Sequence, residues 1–127
     1  MEEFKDLKID GFMKEHNFKL VSFDTKECVL EAPITDTSLN PYKITHGGFI
    51  FGLMDTCGGV HLLLETKRKV VTTSSNVNFL KPGIGKKIIV KSTPIKIGKT
   101  LSVMKVDAYN DKEDLIATGT FNFYYID

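Results

Sequence analysis

One carboxylate stands out in the sequence because its neighbours are almost entirely apolar. With histidine counted as neutral, Asp55 is the only charged residue between Gly47 and Leu64. An ionised carboxylate in apolar surroundings is unfavourable unless it is paired, hydrogen-bonded or facing a cavity, and such groups concentrate at functional sites. The alternative is that Asp55 pairs with a lysine or caps a neighbouring loop. Because burying a charge has a large free-energy cost, we favour the interpretation that Asp55 belongs to a functional site.

A histidine and two glycines precede the same apolar segment, where a helix is expected to begin. The first backbone N–H groups of a helix have no internal partner, and with the helix dipole they can bind an anion or a developing oxyanion. Gly47 and Gly48 would let a carbonyl approach that backbone closely. His46 serves equally well as a hydrogen-bonding tie for the preceding loop. Asn40 could orient the same groups, although Asn40–Pro41 is also ordinary turn chemistry.

The spacing of these groups limits how they can act together. Asp55 lies eight residues beyond Gly47, which is about 12 Å along a helix. One small carbonyl group cannot contact both the start of a helix and an aspartate that far along it. If both groups act on one substrate, Asp55 must come from a second, antiparallel helix, and a two-fold homodimer supplies one.

The elements that must position these residues follow from the hydrophobic pattern. Residues 4–17 predict a short amphipathic helix beginning near Phe4. Two strands should follow, the second over residues 28–34, where Pro33 indicates an edge position or a strand end. After a loop over residues 35–45, the long apolar segment predicts a buried helix over residues 46–66.

The remainder of the chain alternates as strands do. Strands are predicted over residues 71–79, 88–97, 101–109 and 115–125. In the first of them, Val77 and Phe79 are predicted on one face, with Thr72 on the opposite, more polar face. Successive hairpins favour an antiparallel sheet, and one long helix against a curved sheet buries both. The predicted fold class is α+β, with residues 1–127 forming one domain.

Composition narrows the range of functions. The 127 residues are 42% hydrophobic and 26% charged, with a net charge of +1, so no global field attracts nucleic acid. The two cysteines form no disulfide framework or zinc motif. Segment 47–64 meets the lower length limit for a membrane-spanning helix. Its five glycines and Asp55 argue against a membrane span. We expect a cytoplasmic protein that associates with neither membranes nor nucleic acid.

Several short motifs together resemble a known family. The pattern formed by Asn40, the triplet His46–Gly47–Gly48 and Asp55 resembles the N-x5-HGG-x6-D pattern of hotdog-fold acyl-CoA thioesterases of the phenylacetate-pathway (PaaI) type. The stretches NVNFLKP at residues 76–82, GKTL at 98–101 and ATGTF at 117–121 also resemble that family. The resemblance covers essentially the whole chain.

The resemblance implies a hotdog fold, in which an antiparallel sheet wraps around one long helix, and hydrolysis of acyl-CoA thioesters. It implies a homodimer, commonly paired into a tetramer. The Gly47 N–H would bind the thioester oxygen, and Asp55 of the partner subunit would be the nucleophile or the general base. Asn40 and His46 would shape the site. Thr72 would position water or the carboxylate, with Thr73 as the alternative if the alignment slips by one residue.

The resemblance also implies the substrate contacts. These are expected from Gly48, Phe51, Thr73, Ser74 and Ser75. No metal is implied, and no cofactor other than the coenzyme A that forms part of the substrate. The acyl group stays open between phenylacetyl, other aryl and medium-chain groups. A non-catalytic acyl-CoA-binding protein, such as a sensor, is the alternative function.

Two further features allow more than one interpretation. Gly58 and Gly59, in the middle of the predicted helix, could serve close packing or widen an acyl pocket. Lys81, Lys86 and Lys87 could meet the phosphates of coenzyme A, or they could be a solvated loop, which is the commoner role for such a cluster.

Overall fold

A computed structural model describes residues 7–127 as two helices, a short 3₁₀ turn (Asp36–Ser38) and six strands, which confirms the predicted α+β class. In chain order the elements are α1 (Gly11–Glu15), β1 (Lys19–Phe23), β2 (Cys28–Pro33), α2 (Gly47–Thr66), β3 (Val70–Phe79), β4 (Lys87–Ile97), β5 (Leu101–Asn110) and β6 (Leu115–Tyr125).

The six strands form one antiparallel sheet in the order β1-β2-β4-β5-β6-β3. The predicted antiparallel arrangement is therefore confirmed. The alternation pattern did not show that β3 pairs with β6 rather than with β4, its neighbour in sequence. This pairing places β3 at one edge of the sheet. Pro33 is the last residue of β2, which matches the strand-end interpretation, because β2 is paired on both sides.

The long helix α2 forms the centre of the core. It begins at Gly47, one residue later than predicted, and ends at Thr66. Its buried residues pack against sheet residues that include Leu30, Met104 and Phe121. Within residues 7–127, α2 is the one helix long and apolar enough to meet the criteria for a membrane span, and the core helix of a folded domain meets the same criteria. Its buried residues are Phe49, Ile50, Leu53, Met54, Cys57, Gly58, Val60, His61, Leu62 and Leu64.

The helix predicted near the N-terminus is much shorter than expected. Of residues 7–17, only Gly11–Glu15 is helical, and the predicted start at Phe4 lies outside the described residues. Gly11 has a φ of +55°, a left-handed conformation that interrupts a right-handed helix. The predicted end is confirmed, because His16 is the C-cap residue.

The predicted faces of β3 are wrong because the strand contains a bulge. The pairing with β6 runs Thr72 with Phe123 and then Ser74 with Asn122, so Thr73 is the extra residue. A bulge of this kind shifts the alternation of side chains by one. Thr72 therefore faces α2, as do Val77 and Phe79 further along the strand.

Candidate active site

Asp55 lies half-buried in the third turn of α2 and is hydrogen-bonded to β3. The Oγ1 hydroxyl of Thr72 donates to Asp55 Oδ1. Burial raises the pKa of Asp55, and the hydrogen bond from Thr72 offsets part of that effect because it favours the charged form. A carboxylate whose pKa is raised is a better proton acceptor, and Thr72 fixes one of its oxygens. The pair is thus suited to act as an oriented general base or nucleophile.

Asp55 opens onto a cavity of about 660 Å³. Asp55, Gly59 and Leu63 line it from α2, at intervals of four residues that keep them on one helix face. Val70 and Phe123 contribute apolar walls from β3 and β6. The sequence reasoning missed Leu63, Val70 and Phe123. In the sequence, the repeated four-residue spacing from Asp55 is the one signal that could have placed Leu63 in the cavity. Val70 and Phe123 could not have been placed there, because their positions depend on the pairing of distant segments.

The start of α2 presents one free backbone donor. His46 is the N-cap, and its Nδ1 accepts a hydrogen bond from the Gly48 N–H at 2.8 Å. The Phe49 and Ile50 N–H groups donate to the His46 carbonyl at 3.0 and 3.2 Å. Among the described residues, the Gly47 N–H has no hydrogen-bond acceptor. Gly47 is therefore the donor of this turn that an incoming carbonyl oxygen can reach.

The same geometry explains two neighbouring residues. Since His46 Nδ1 accepts a hydrogen bond, it carries no proton in this arrangement, and His46 acts as a structural cap. A Cβ atom at Gly48 would lie 2.9 Å from the His46 ring, so glycine is required for the imidazole to fold back over the helix. The Gly48 N–H, predicted to contact substrate, is occupied by this internal bond.

Asn40 organises the loop that leads into the helix. Its Oδ1 accepts hydrogen bonds from the Tyr42 and Ile44 N–H groups at 2.9 and 3.3 Å. Asn40 and Gly47 line a cleft of about 320 Å³, and Lys81 also lines it. Both Lys81 and Lys87 have an acidic partner, Lys81 with Asp114 at 3.9 Å and Lys87 with Glu31 at 3.3 Å. Of the predicted lysines, Lys81 is the one that lines this cleft and could meet a ligand entering it.

The remaining predicted substrate contacts line neither the Asp55 cavity nor the Gly47 cleft. The ring of Phe51 packs 5.4 Å from that of Phe121. Thr73 Oγ1 donates to the Asn122 carbonyl at 3.2 Å, and Ser74 Oγ accepts from Asn122 Nδ2 at 2.8 Å. Ser75 is exposed on the edge strand β3. Thr72, rather than Thr73, is the residue that reaches Asp55.

The residues around Asp55 disfavour two other kinds of catalytic group, a cysteine nucleophile and a bound metal ion. The thiol of Cys57 donates to the Cys28 carbonyl at 3.3 Å, and burial raises its pKa well above the ordinary value. A buried, protonated thiol is a poor nucleophile. Within residues 7–127, no three His, Cys, Asp or Glu side chains converge as a metal site would require.

The predicted site residues fall into two separate groups in one chain. Asp55 and Thr72 line one cavity, whereas Gly47 and Asn40 line another. Gly47 and Asp55 are eight positions apart in the same continuous helix, which spans about 12 Å over that distance. Within one chain, a single small carbonyl group therefore cannot contact both groups.

A family model described as the thioesterase superfamily matches residues 42–117, which is more than half of the chain. A candidate esterase of Haemophilus influenzae is 29% identical over 85 residues. That match covers 65% of this chain and 62% of the relative, so this chain spans slightly less than two thirds of the relative's length.

Solved structures show the same fold over nearly the whole chain. A Streptococcus mutans protein solved with bound acetyl-CoA is 28% identical, with a TM-score of 0.82, and the match covers 96% of this chain and 94% of that protein. The Escherichia coli PaaI protein of the phenylacetic acid degradation operon is 22% identical, with a TM-score of 0.84 over 90% of this chain and 83% of its own. These matches confirm the fold that the sequence motifs predicted.

Proposed function

Because this chain belongs to the thioesterase superfamily and has the hotdog fold, we propose that it hydrolyses acyl-CoA thioesters to the free acid and coenzyme A. The observation that carries the proposal is the half-buried Asp55 carboxylate, which is held by Thr72 and lines a largely apolar cavity. The acetyl-CoA bound to the Streptococcus mutans relative supports the choice of coenzyme A esters.

The complete site is formed, in this proposal, by two subunits. Strand β3 runs antiparallel to α2, because Thr72 lies beside Asp55 while the ring of Phe79 lies 3.6 Å from a Cβ built on Gly47. If two β3 strands pair antiparallel across a two-fold axis, the Thr72 end of one meets the Phe79 end of the other. Asp55 of one subunit then approaches Gly47 of its mate.

The exposed edge of the sheet supports this pairing. Among residues 7–127, strand β3 is hydrogen-bonded to a neighbouring strand on one side only, and an open ten-residue edge is unfavourable in solution. Phe79 and Leu80 are 52% and 53% exposed, and a partner subunit would cover them. Thr73, Ser74 and Ser75 also lie on this edge and would become interface residues. A pairing of two such dimers is the accompanying proposal for the tetramer.

The proposed chemistry follows from these positions. The Gly47 N–H, at the positive end of the α2 dipole, binds the thioester oxygen and stabilises the oxyanion of the tetrahedral intermediate. Asp55 of the partner subunit removes a proton from water as the water oxygen bonds to the carbonyl carbon. When the intermediate collapses, the carbon–sulfur bond breaks, and coenzyme A leaves as a thiolate that takes up a proton. No strong general acid is needed, because a thiolate is a good leaving group.

Asp55 can also act as the nucleophile. Its free oxygen would then attack the carbonyl carbon to give a mixed anhydride, which water hydrolyses in a second step. Thr72 serves both routes, since its hydrogen bond holds one carboxylate oxygen and leaves the other available. Hydrolysis in ¹⁸O-labelled water under single-turnover conditions separates them, because only the anhydride route transfers unlabelled oxygen from Asp55 to the product.

A thiol-release assay tests the proposed function directly. Purified protein is incubated with acetyl-, medium-chain and phenylacetyl-CoA, and free coenzyme A is measured with a thiol reagent. We expect hydrolysis of at least one of these esters. Tight binding of acyl-CoA without hydrolysis would contradict the proposal and favour the alternative, a non-catalytic acyl-CoA sensor.

The Thr72 hydroxyl should set the pH dependence of the reaction. Its hydrogen bond lowers the pKa of Asp55, so Thr72→Val should raise that pKa and move the acid limb of the kcat/KM profile to higher pH. Thr72→Ser retains the hydroxyl and should retain the wild-type limb. The measurement is kcat/KM against pH for all three proteins.

A second threonine–aspartate pair provides the control for this experiment. Thr118 Oγ1 donates to Asp107 Oδ1 at 2.6 Å, and neither residue lines the Asp55 cavity or the Gly47 cleft. Thr118→Val should leave the activity profile unchanged. An acid limb that stays in place in Thr72→Val, or moves to lower pH, would show that Thr72 does not act through Asp55.

A further inference from the structure

The two adjacent glycines in the middle of α2 have different environments. Glycine is less favourable than alanine inside a helix, so each position requires a compensating reason. A Cβ at Gly58 would lie 2.9 Å from the ring of Phe123, which is closer than side chains approach one another. Gly58 is therefore needed for α2 to pack closely against β6.

Packing does not explain Gly59. A Cβ at this position would meet Phe123 at 3.7 Å and Val70 at 3.9 Å, both of which are ordinary van der Waals distances. An alanine would fit there and would favour the helix. Gly59 instead lines the cavity that contains Asp55, and a larger side chain would occupy space in that cavity.

The position of Gly59 in the cavity indicates which part of a substrate it would meet. Gly59 lies one helical turn beyond Asp55, and Leu63 lies one turn further on, with about 6 Å between successive positions. Val70 and Phe123 form the walls at this level. Past the carboxylate, the α2 and wall residues at this level are apolar and match a hydrocarbon group, and Lys8 and Lys69 also line the cavity.

We propose that Gly59 determines acyl-group specificity, by leaving room for an apolar acyl group, medium-chain or aryl, that extends from Asp55 toward Leu63. This inference rests on the proposed function and adds to it the class of acyl group and the residue that admits it. It also settles the open interpretation of the glycine pair: Gly58 serves packing, and Gly59 serves the substrate.

The test compares acyl-group profiles of substituted proteins. Wild type, Gly59→Ala and Gly59→Leu are assayed for kcat/KM on acetyl-, hexanoyl-, decanoyl- and phenylacetyl-CoA. We expect Gly59→Leu to lose about tenfold or more on the larger esters, as pocket-filling substitutions do, and to lose less on acetyl-CoA. Gly59→Ala, which fits without displacement, should show a smaller loss of the same kind together with a higher melting temperature.

A substitution at Leu63, the last of the three α2 residues along the cavity, should enlarge the cavity and not fill it. Leu63→Ala lengthens the cavity and should shift the preferred acyl group toward longer chains. Circular dichroism and size-exclusion chromatography establish that each variant retains its fold and assembly. Identical acyl profiles for wild type and a folded Gly59→Leu protein would overturn the assignment of Gly59.

The proposed function and the role of Gly59 can fail separately. If the wild type hydrolyses none of the esters, the proposed function is wrong. The same acyl-CoA series is then measured as dissociation constants by calorimetry. Selective weakening of the larger esters in Gly59→Leu would still support the role of Gly59, and uniform affinities would reject it.

Discussion

Replacing Asp55 with asparagine is expected to lower kcat by about 10²- to 10⁴-fold, the range that a positioned general base contributes. Asparagine is nearly isosteric and can still accept the hydrogen bond from Thr72, but it cannot take a proton or attack a carbonyl. The measurement is steady-state thiol release by wild type and Asp55→Asn under the same conditions. Wild-type turnover by the folded variant would remove Asp55 from the mechanism.

The chain offers a matched control for this substitution. Asp107 is also partly buried and also accepts a hydrogen bond from a threonine hydroxyl, but it lies on β5 and lines neither the Asp55 cavity nor the Gly47 cleft. Asp107→Asn should retain full activity. A comparable loss in both variants would indicate a general effect of removing a carboxylate.

The same substitution has a predictable effect on stability. Burial raises the pKa of Asp55 in the folded protein, so the folded state binds this proton to higher pH than the unfolded chain does. The group stabilises the fold below its unfolded pKa of about 3.9, and that contribution is lost as the pH rises through the raised folded-state pKa.

At neutral pH the wild type therefore carries the desolvation penalty of a partly buried carboxylate, whereas Asp55→Asn does not. We expect the melting temperature of Asp55→Asn to equal or exceed that of wild type at pH 7, with any difference disappearing below pH 4. Thermal melts across this range provide the measurement. An inactive but more stable variant would show that Asp55 is retained for function at the expense of stability.

The sequence predicted those parts of the site that depend on local spacing. Asp55 was identifiable because a charge in an apolar helix is unfavourable wherever the helix packs, and Gly47 because a helix start leaves backbone donors unpaired. Both features are encoded within twenty consecutive residues. The α+β class followed in the same way, from helical and strand periodicities that each involve a single segment.

The parts that could not be predicted depend on pairing between distant segments. The bulge at Thr73 arises where β3 meets β6, some fifty residues later in the chain, and it reverses the predicted facing of Thr72 relative to Phe79. The cavity wall formed by Val70 and Phe123 depends on the same pairing. The family resemblance left Thr72 and Thr73 as alternatives, and the simple alternation favoured Thr72 because its face is the more polar one. Thr72 does donate to Asp55, but it does so from the same face as Phe79, which the alternation did not predict.

Gly47→Ala should reduce kcat by about 10²- to 10³-fold, which is the effect of losing one oxyanion-hole donor. The added methyl group lies 3.6 Å from the Phe79 ring, so the fold accommodates it, but it occupies the approach of a carbonyl oxygen to the Gly47 N–H. Thiol release and thermal melting together distinguish a blocked donor from a misfolded protein. Wild-type activity in Gly47→Ala, which keeps the backbone N–H, would contradict the predicted obstruction of the carbonyl by the added methyl group.

Mixing the two inactive variants tests whether the site spans two subunits. In a heterodimer of Asp55→Asn and Gly47→Ala, one of the two shared sites receives an intact Gly47 and an intact Asp55, while the other receives both substitutions. Random re-association gives about half heterodimers, so about a quarter of wild-type activity should return.

A site contained within one chain would behave differently, because every site in the mixture would then carry one of the substitutions and no activity would return. Each variant taken alone through the same dissociation and re-association steps provides the control. Recovered activity would also require that β3 edges pair in solution, since this pairing is what brings the start of one α2 to the middle of the other.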